Sequence, residues 1–319
     1  MVITVTLNPT TDRTLEVPDF RVGQHARARL VALVPAGKGV NVARGLALLG
    51  GRATACGLVG RGEQEAYRES LRRDGAECAM CAVDGVTRSN TTIIDPQNGT
   101  TTHLREQGFT VTGADLERLR ASLADVVAGS KADGRRPSVV FAGSTPPGVG
   151  PEDFVELLVL CREAGASVVV DTSGHALVAS VESGCADTIK PNLLELGECL
   201  GEEVSRGEAP ARAAELLGKV ETVLLTLGAD GAYVIRRDGC EGMRCRIDQS
   251  RVRNNVGCGD AFLAGWLYGL ERAGDVSTAL RWAVAAGAAS ALSPITVGYN
   301  PEEVERLLDK CGPLESQRM

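Results

Sequence analysis

From residue 113 onward, helix-length amphipathic runs alternate with strand-length apolar runs, and this alternation limits the fold more than any other feature. DLERLRASLADVV sets Leu116, Leu119, Leu123 and Val126 at three- and four-residue spacing, one face of a helix. Then follow strand SVVFAG (138–143), a helix over 151–164, strand SVVVDTS (167–173), a short helix and strand DTIKPN (187–192). Helices near 193–200 and 208–219 lead to strand TVLLTLG (222–228). A hairpin over 232–249 and helices over 259–272, 276–292 and 301–310 complete the chain. Strands alternating with helices predict a parallel sheet covered on both faces.

The first third mixes two patterns. VITVTL (2–7) and ATACGLVG (53–60) read as buried strands, GKGVNVARGLALLGG (37–51) as a glycine-started helix, and EQEAYRESLRRDG as a helix with a glycine stop. TLEV and HARARLVALV, within 14–34, mix polar with apolar residues, as in a sheet with one wet face. SNTTIID and TTTHLRE flank Pro96-Gln97-Asn98-Gly99, a hairpin signal. The expected organisation is an α/β core over 1–9, 37–84 and 109–319, with a small β-sheet from 10–36 and 85–108 inserted into it.

Composition narrows the function classes. At 319 residues, 44% hydrophobic and 24% charged, the chain has length for one large α/β domain or two smaller ones. A formal net charge of -7 argues against a general nucleic-acid or acidic-membrane surface. MVITVTLNPT lacks the basic start and long apolar core of a secretory signal, and no apolar run reaches the ~18 residues of a spanning helix, so a cytoplasmic protein is expected. Ten cysteines include the lone C-x-x-C of Cys78 and Cys81 and a looser pair, Cys240 and Cys245. With only three histidines this is a weak match to zinc, and small buried hydrophobes in a reducing compartment fit better.

NNVGCGDAFLAG (254–265) raises the chemical question, because an interior carboxylate is costly without a partner or a task. Glycines before a helix start let backbone amides approach a phosphate. Asp260 beside such a site could accept the proton of a hydroxyl attacking the γ-phosphorus of ATP; the alternative is an ordinary N-cap. AGKGVNVA (36–43) is a second glycine-rich helix start and not a Walker loop, since Gly39 follows Lys38. Lys38 and Asn41 could reach a polyhydroxylated ligand from there. KPNLLE (190–195) sets Asn192 and Glu195 on one face, as oxygen ligands for Mg²⁺ or as a reciprocal helix cap. TLGADG (226–231) ends a strand with glycines suited to a nucleotide or to a tight turn.

TLNPTTD, AGKGVNVAR, TRSN, GSTPPG, DTSG, IKPNLLE, TLGADG and NNVGCGDAF, in this order, resemble the ribokinase-like sugar kinases, the phosphofructokinase-B family. TLNPxxD, GKGxNVAR and TRSN look most like the hexose-phosphate branch. The resemblance implies a ribokinase-like three-layer α/β fold with a mostly parallel sheet and a small β-sheet lid, often a homodimer interface. It implies a kinase using ATP as co-substrate with Mg²⁺, in some members with a monovalent cation such as K⁺. The lead substrate is fructose 1-phosphate, with tagatose 6-phosphate or fructose 6-phosphate next; alternatives are an unphosphorylated sugar or nucleoside, or a non-catalytic sugar-phosphate sensor. Asp260 would be the catalytic base, and the amides of Gly257, Cys258 and Gly259 the anion hole. Asp12, Gly37, Lys38, Gly39, Asn41, Arg88 and Ser144 would bind the sugar or its phosphate. Lys190, Asn192, Thr226, Gly228 and Gly231 would line the ATP site, with Asn192 and Glu195 facing Mg²⁺, mostly through water. Ala36 replaces the first glycine of GGKG, Cys258 replaces the alanine of GAGD, Arg105 stands where a neutral or acidic residue is expected, and ALSPITVG near 291–298 departs from the loop that often helps bind a monovalent cation.

Overall fold

A computed structural model describes residues 1–130 and 136–314; the stretches 131–135 and 315–319 of the expected core lie outside the described residues. The main sheet is built from β1 (Val2–Thr6), β4 (Ala53–Gly60), β5 (Glu77–Val83), β8 (Ser138–Ala142), β9 (Ser167–Asp171), β10 (Thr188–Ile189), β11 (Thr222–Thr226), β12 (Ala232–Arg236), β13 (Gly239–Cys245) and β14 (Cys311–Pro313). The second sheet takes β2 (Thr10–Glu16), β3 (Arg29–Ala36), β6 (Ser89–Asp95) and β7 (Thr100–Arg105). The ten strands run in the order β14-β13-β12-β11-β10-β9-β8-β1-β4-β5. Pairing is parallel from β11 through β5 and antiparallel from β11 to β14.

Strand parity divides the core. Ile3, Val5, Val139, Phe141, Val168 and Val170 point to one face. It is covered by α3 (Gly113–Gly129), α4 (Pro151–Glu163), α5 (Gly174–Glu182), α6 (Leu193–Leu200) and α7 (Ala209–Ala214). Val2, Val140 and Val169 point to the other, against α1 (Lys38–Leu48), α2 (Gln64–Arg73), α8 (Cys258–Ala273) and α9 (Val276–Leu292). Beyond α9, α10 (Pro301–Leu308) closes a third apolar cluster. Strands buried on both sides are why the sequence shows continuous apolar runs here.

Several local expectations need correction. DTIKPN is a strand only at Thr188 and Ile189, because Asn192 leaves the ladder to cap α6. The helix expected over 208–219 stops at Ala214 and tightens into a 3₁₀ turn. Within 14–34, residues 17–28 form turns and loop rather than strand. β5 and β14 went unseen: ECAMCAV alternates without a clear apolar face, and CGP carries no strand signal.

The four-stranded sheet has the order β3-β2-β6-β7, with β2 and β6 parallel. Its strands lie within the two expected insertions. The Tyr67 hydroxyl, on α2, shares its one proton between Thr10 O at 2.6 Å and Ala36 O at 2.9 Å, and so sits at both crossings between the sheets. Among the described residues no helix is long and apolar enough to cross a membrane.

Candidate active site

The chemistry-bearing residues gather at the carboxyl ends of the parallel strands, where open α/β sheets bind ligands. Thr6 ends β1, Asp171 ends β9, Lys190 follows β10 and Thr226 ends β11. Two helices start there. Helix α1 begins after Gly37, at φ +139, and a side chain on Gly39 would meet Thr6 Oγ1 at 2.4 Å. Thr6 Oγ1 instead accepts the Val40 N–H at 3.1 Å, locking the turn.

Helix α8 is capped by Gly257 in the left-handed region at φ +80, and a Cβ there would meet Thr296 Cγ2 at 2.5 Å. Glycine is therefore required on two counts. The first-turn amides of α8, which have no i−4 carbonyl, give the helix its anion-attracting end.

Asp260 lies in that first turn, 5% exposed. It is not the N-cap, a place Gly257 holds without a side-chain bond. The Asp260 carboxylate turns across to α1, where Asn41 Nδ2 donates to Oδ2 at 2.8 Å. Arg44 Nη1 donates to Asn41 Oδ1 at 3.3 Å, which fixes the amide so that its NH₂ faces the acid. Arg44 is itself buried and bonded to Asp74 at 2.6 Å and to Pro35 O at 3.0 Å. Burial, and then the Asp171 carboxylate, push Asp260 up to about 6, against the pull of Lys38, Asn41 and Lys190.

Asp171 is the residue that the sequence did not single out. It is fully buried, and Oδ1 receives Lys38 Nζ at 2.9 Å and Lys190 Nζ at 3.2 Å. Burial opposes its charge, but the two ammonium groups outweigh it and hold the carboxyl below its usual range. Burial likewise works against the Lys38 ammonium, and the Asp171 and Asp260 carboxylates prevail, so Lys38 stays charged. A Cβ on Gly259 would lie 3.4 Å from Lys190 Nζ, so this ammonium sits against the first turn of α8. DTSG at the end of a strand was the available signal; its pairing with Lys38, 133 residues away, was invisible in sequence.

Asn192 and Glu195 form a reciprocal cap. Asn192 Oδ1 accepts the N–H groups of Leu194 at 2.9 Å and Glu195 at 3.0 Å, and Glu195 Oε2 accepts Asn192 N–H at 2.9 Å. Burial raises the Glu195 carboxyl, while Lys38 and Lys190 draw it down. Among the described residues no three His, Cys, Asp or Glu side chains gather as a metal cage. Mg²⁺ held largely by phosphates and water needs only one or two carboxylates. The donor set fits that mode: Asp171 Oδ2 is buried without a hydrogen-bond partner, and the cap uses a single Glu195 oxygen. Asn192 also bridges Thr226, beyond which Gly228 (φ +64) and Gly231 (φ +106) shape the turn into β12. A side chain on Gly231 would meet Met243 O at 2.4 Å.

A second group lies at the root of the small sheet. Asn90 Nδ2 donates to Asp12 Oδ1 at 3.3 Å, and Asn8 Nδ2 to Ser144 Oγ at 3.2 Å. Arg88 donates through Nη2 to Asn8 O at 3.2 Å and through Nε to Pro9 O at 3.3 Å. Burial, then the nearby Arg105 guanidinium, lower the Arg88 pKa, with Asp12 opposing. Burial raises Asp12, against Asn90, Arg44 and Arg88. Arg44 thus links this group to Asn41 and Asp260.

Cys258 follows the cap directly, and its thiol contacts Asn254 O at 3.6 Å. Burial raises its pKa, the opposite of a nucleophile's setting. The substitution keeps the backbone amide at the helix start and removes only the thiol, so Cys258→Ala should keep kcat within about two-fold, read in a steady-state assay with zinc content measured alongside.

The sequence matches the family described as pfkB family carbohydrate kinase over residues 4–302. It is 33% identical over 286 residues to a 1-phosphofructokinase of Rhodobacter capsulatus, covering 89% of this chain and 88% of that one. It is 30% identical over 311 residues to an ATP-dependent 6-phosphofructokinase isozyme 2 of Mycobacterium tuberculosis, covering 97% and 89%. The fold superposes on Escherichia coli phosphofructokinase-2, solved in complex with potassium, with a TM-score of 0.88, 25% identity and coverage of 97% and 98%. Two glycine-started helices meeting over a buried acid are thus set in the frame of a known family, and the chain belongs to the pfkB family of carbohydrate kinases.

Proposed function

We propose that the protein transfers the γ-phosphoryl group of ATP to a hydroxyl of a hexose phosphate, with fructose 1-phosphate as lead substrate and fructose 1,6-bisphosphate as product. Tagatose 6-phosphate and fructose 6-phosphate are the next substrates to test. The carrying observation is the buried Asp260 carboxylate, with a pKa of about 6, in the first turn of α8 and gripped by Asn41. A carboxylate there works against phosphate binding unless it takes a proton. Asp260 removes the proton of the substrate hydroxyl as that oxygen attacks, and the amides of Gly257, Cys258 and Gly259 receive the charge of the transferring group. Lys38 and Lys190, both charge-paired with Asp171, stand beside it. Mg²⁺ would supply charge neutralisation on the nucleotide phosphates, with Glu195, Asn192 and Asp171 as the oxygen side chains nearest to that role. Thr226, Gly228 and Gly231 border the nucleotide. A monovalent cation such as K⁺ is tested by titration, since ALSPITVG is an atypical loop for one.

The phosphorylated substrate is supported at the lid root. The Arg105 guanidinium is close enough to disfavour the charge of the half-buried Arg88, and a phosphate relieves that repulsion. Asp12, Gly37, Gly39, Asn41 and Ser144 complete the sugar side. The four-stranded sheet acts as a lid over this site, excluding water. Leu30, Leu33 and Leu104 on that sheet are 52%, 58% and 54% exposed, and a second copy of the chain is proposed to cover them, with sedimentation as the test.

The deciding experiment is an ADP-release assay over phosphorylated and neutral sugars. Preference for a neutral sugar overturns the hexose-phosphate reading, and no turnover with any sugar favours a sensor. The pH profile supplies a further expectation. The base works only when ionised, so kcat/KM should rise with pH to a plateau, with a midpoint near 6. Asn41→Ala removes a bond that favours the ionised form, so its midpoint should move to higher pH. A profile flat from pH 5 to 8 would remove Asp260 from the base role.

A further inference from the structure

The two cysteine pairs visible in the sequence are separated by the sheet, and a third pair, invisible in the sequence, is brought together. Cys78 and Cys81 lie in β5 at opposite parity, so Cys81 packs into the cluster on one face and Cys78 into the cluster on the other. Cys240 and Cys245 in β13 are split in the same way. Cys245 instead stands opposite Cys311, across the antiparallel pairing of β13 with β14.

The hydrogen bonds fix the kind of position this is. Arg246 N–H donates to Lys310 O at 3.1 Å and Leu314 N–H to Gly242 O at 2.9 Å. Bonded pairs alternate along an antiparallel ladder, so the bonded register includes Arg244 with Gly312, and Cys245 with Cys311 is a non-bonded pair. At such pairs the Cα atoms stand about 4.5 Å apart and the side chains are closest, inside the span a disulfide accepts. Both thiols point the same way: Cys245 Sγ lies 3.6 Å and Cys311 Sγ 3.2 Å from the same carbonyl, Leu307 O. Both are partly buried at the edge of the sheet, not sealed in the core.

We propose that Cys245 and Cys311 are a redox-active dithiol that closes to an intramolecular disulfide, joining β13 to β14 around the loop that carries α8, α9 and α10. The chemistry needs a small-molecule disulfide as oxidant. The Cys245 thiolate attacks one of its sulfurs, forming a mixed disulfide and expelling the first thiolate. Cys311 then loses its proton to solvent and attacks Cys245 Sγ, and the second thiolate leaves. Two electrons pass from the cysteine pair to the oxidant, which ends as two thiols. The attacking order follows the local electrostatics: the Cys311 S–H bonded to Cys245 favours the Cys245 thiolate, which Lys310 also stabilises, and Cys311 is disfavoured as an anion. The backbone is already in register, so oxidation stabilises the fold without displacing the site.

The test incubates the full chain with glutathione disulfide, blocks remaining thiols with N-ethylmaleimide and maps the peptides by mass. The expected result is one cross-linked peptide joining 245 to 311, reversed by dithiothreitol. Tm should rise by several degrees on oxidation, since a long loop is closed, and kcat/KM should stay within about two-fold. Cys245→Ala and Cys311→Ala should each abolish the cross-link, and Cys240→Ala should keep it. A stable glutathione adduct without a cross-link, a cross-link to any other cysteine, or full labelling of all ten thiols after oxidation would overturn the proposal. The wild-type peptide map decides the matter even where a variant folds poorly.

Discussion

Asp260→Asn is expected to lose between about 10² and 10⁴ in kcat, the ordinary worth of a general base, while nucleotide affinity stays within a few-fold. Asparagine keeps the size of the side chain and can still accept the Asn41 N–H through its carbonyl oxygen, so the α1–α8 contact survives. What is lost is the site for the proton. The same substitution has an opposite effect on stability. The folded pKa of Asp260 lies above its ordinary value of 3.8, so its contribution to stability is fully present below pH ~3.8 and is lost as pH rises through about 6. At pH 7.5 the ionised, buried carboxylate therefore costs of order 3 kcal/mol, taking about two units at 1.36 kcal/mol each. That figure is already net of the favourable pull of Lys38 and Lys190, and the neutral asparagine removes it, so Tm at pH 7.5 should equal or exceed that of the wild type. Retention of a tenth of wild-type turnover would show that another group accepts the proton. A large fall in Tm would show that the acid is a structural partner first.

The fold was legible where burial was symmetric. VITVTL, SVVFAG, SVVVD and TVLLT sit between two helical layers, so every position tolerates an apolar residue and the run is unmistakable. The edges of the sheet lacked that signature. β5 carries Glu77 and two cysteines and is covered unequally, and β14 is three residues held by pairing with β13. The four strands of the small sheet were traceable because turn residues such as Pro96-Gln97-Asn98-Gly99 punctuate them.

For the candidate site, sequence could supply the glycines, whose positive φ and close contacts at Gly37, Gly231 and Gly257 leave little alternative. It could supply Asp260, because a carboxylate at the head of an apolar helix demands explanation. It could not supply Asp171, since an acid ending a strand before Thr-Ser-Gly is also the ordinary start of a turn. Arg44 was hidden for a related reason: on a helix it reads as a solvated charge, and only the tertiary structure turns it inward onto Asn41, Asp74 and Pro35 O. Such residues are defined by partners distant in sequence, and their spacing along the chain carries no trace of them. The cysteines teach the same lesson in reverse, since C-x-x-C on a strand places its thiols on opposite faces.

Arg88→Ala should raise KM for the sugar phosphate steeply, lowering kcat/KM by about 30- to 1,000-fold, or ~2–4 kcal/mol at ~1.4 kcal/mol per decade. KM for ATP should remain within a few-fold, and no neutral sugar should improve to the wild-type level. The expectation rests on placement. Arg88 is half-buried just before β6, with Arg105 nearby and Asp12 on the same network, and a solvated surface arginine would be worth only ~0–1 kcal/mol. Two of its donors already serve the chain, on Asn8 O and Pro9 O, where they set the turn from β1 into β2. That double duty makes the control essential, because a merely structural arginine would also disturb the loop. Loosening the loop would lower Tm and move kcat together with both KM values, whereas loss of a phosphate contact moves the sugar-phosphate KM alone. Arg88→Lys separates the two further: an ammonium keeps the charge but cannot bind phosphate through two parallel N–H bonds while also holding both carbonyls. Its kcat/KM should fall between wild type and alanine, with Tm near wild type. If both variants leave the sugar-phosphate KM unchanged, the phosphate is gripped elsewhere, and Lys38, Arg27 and Arg105 are the cations to replace next.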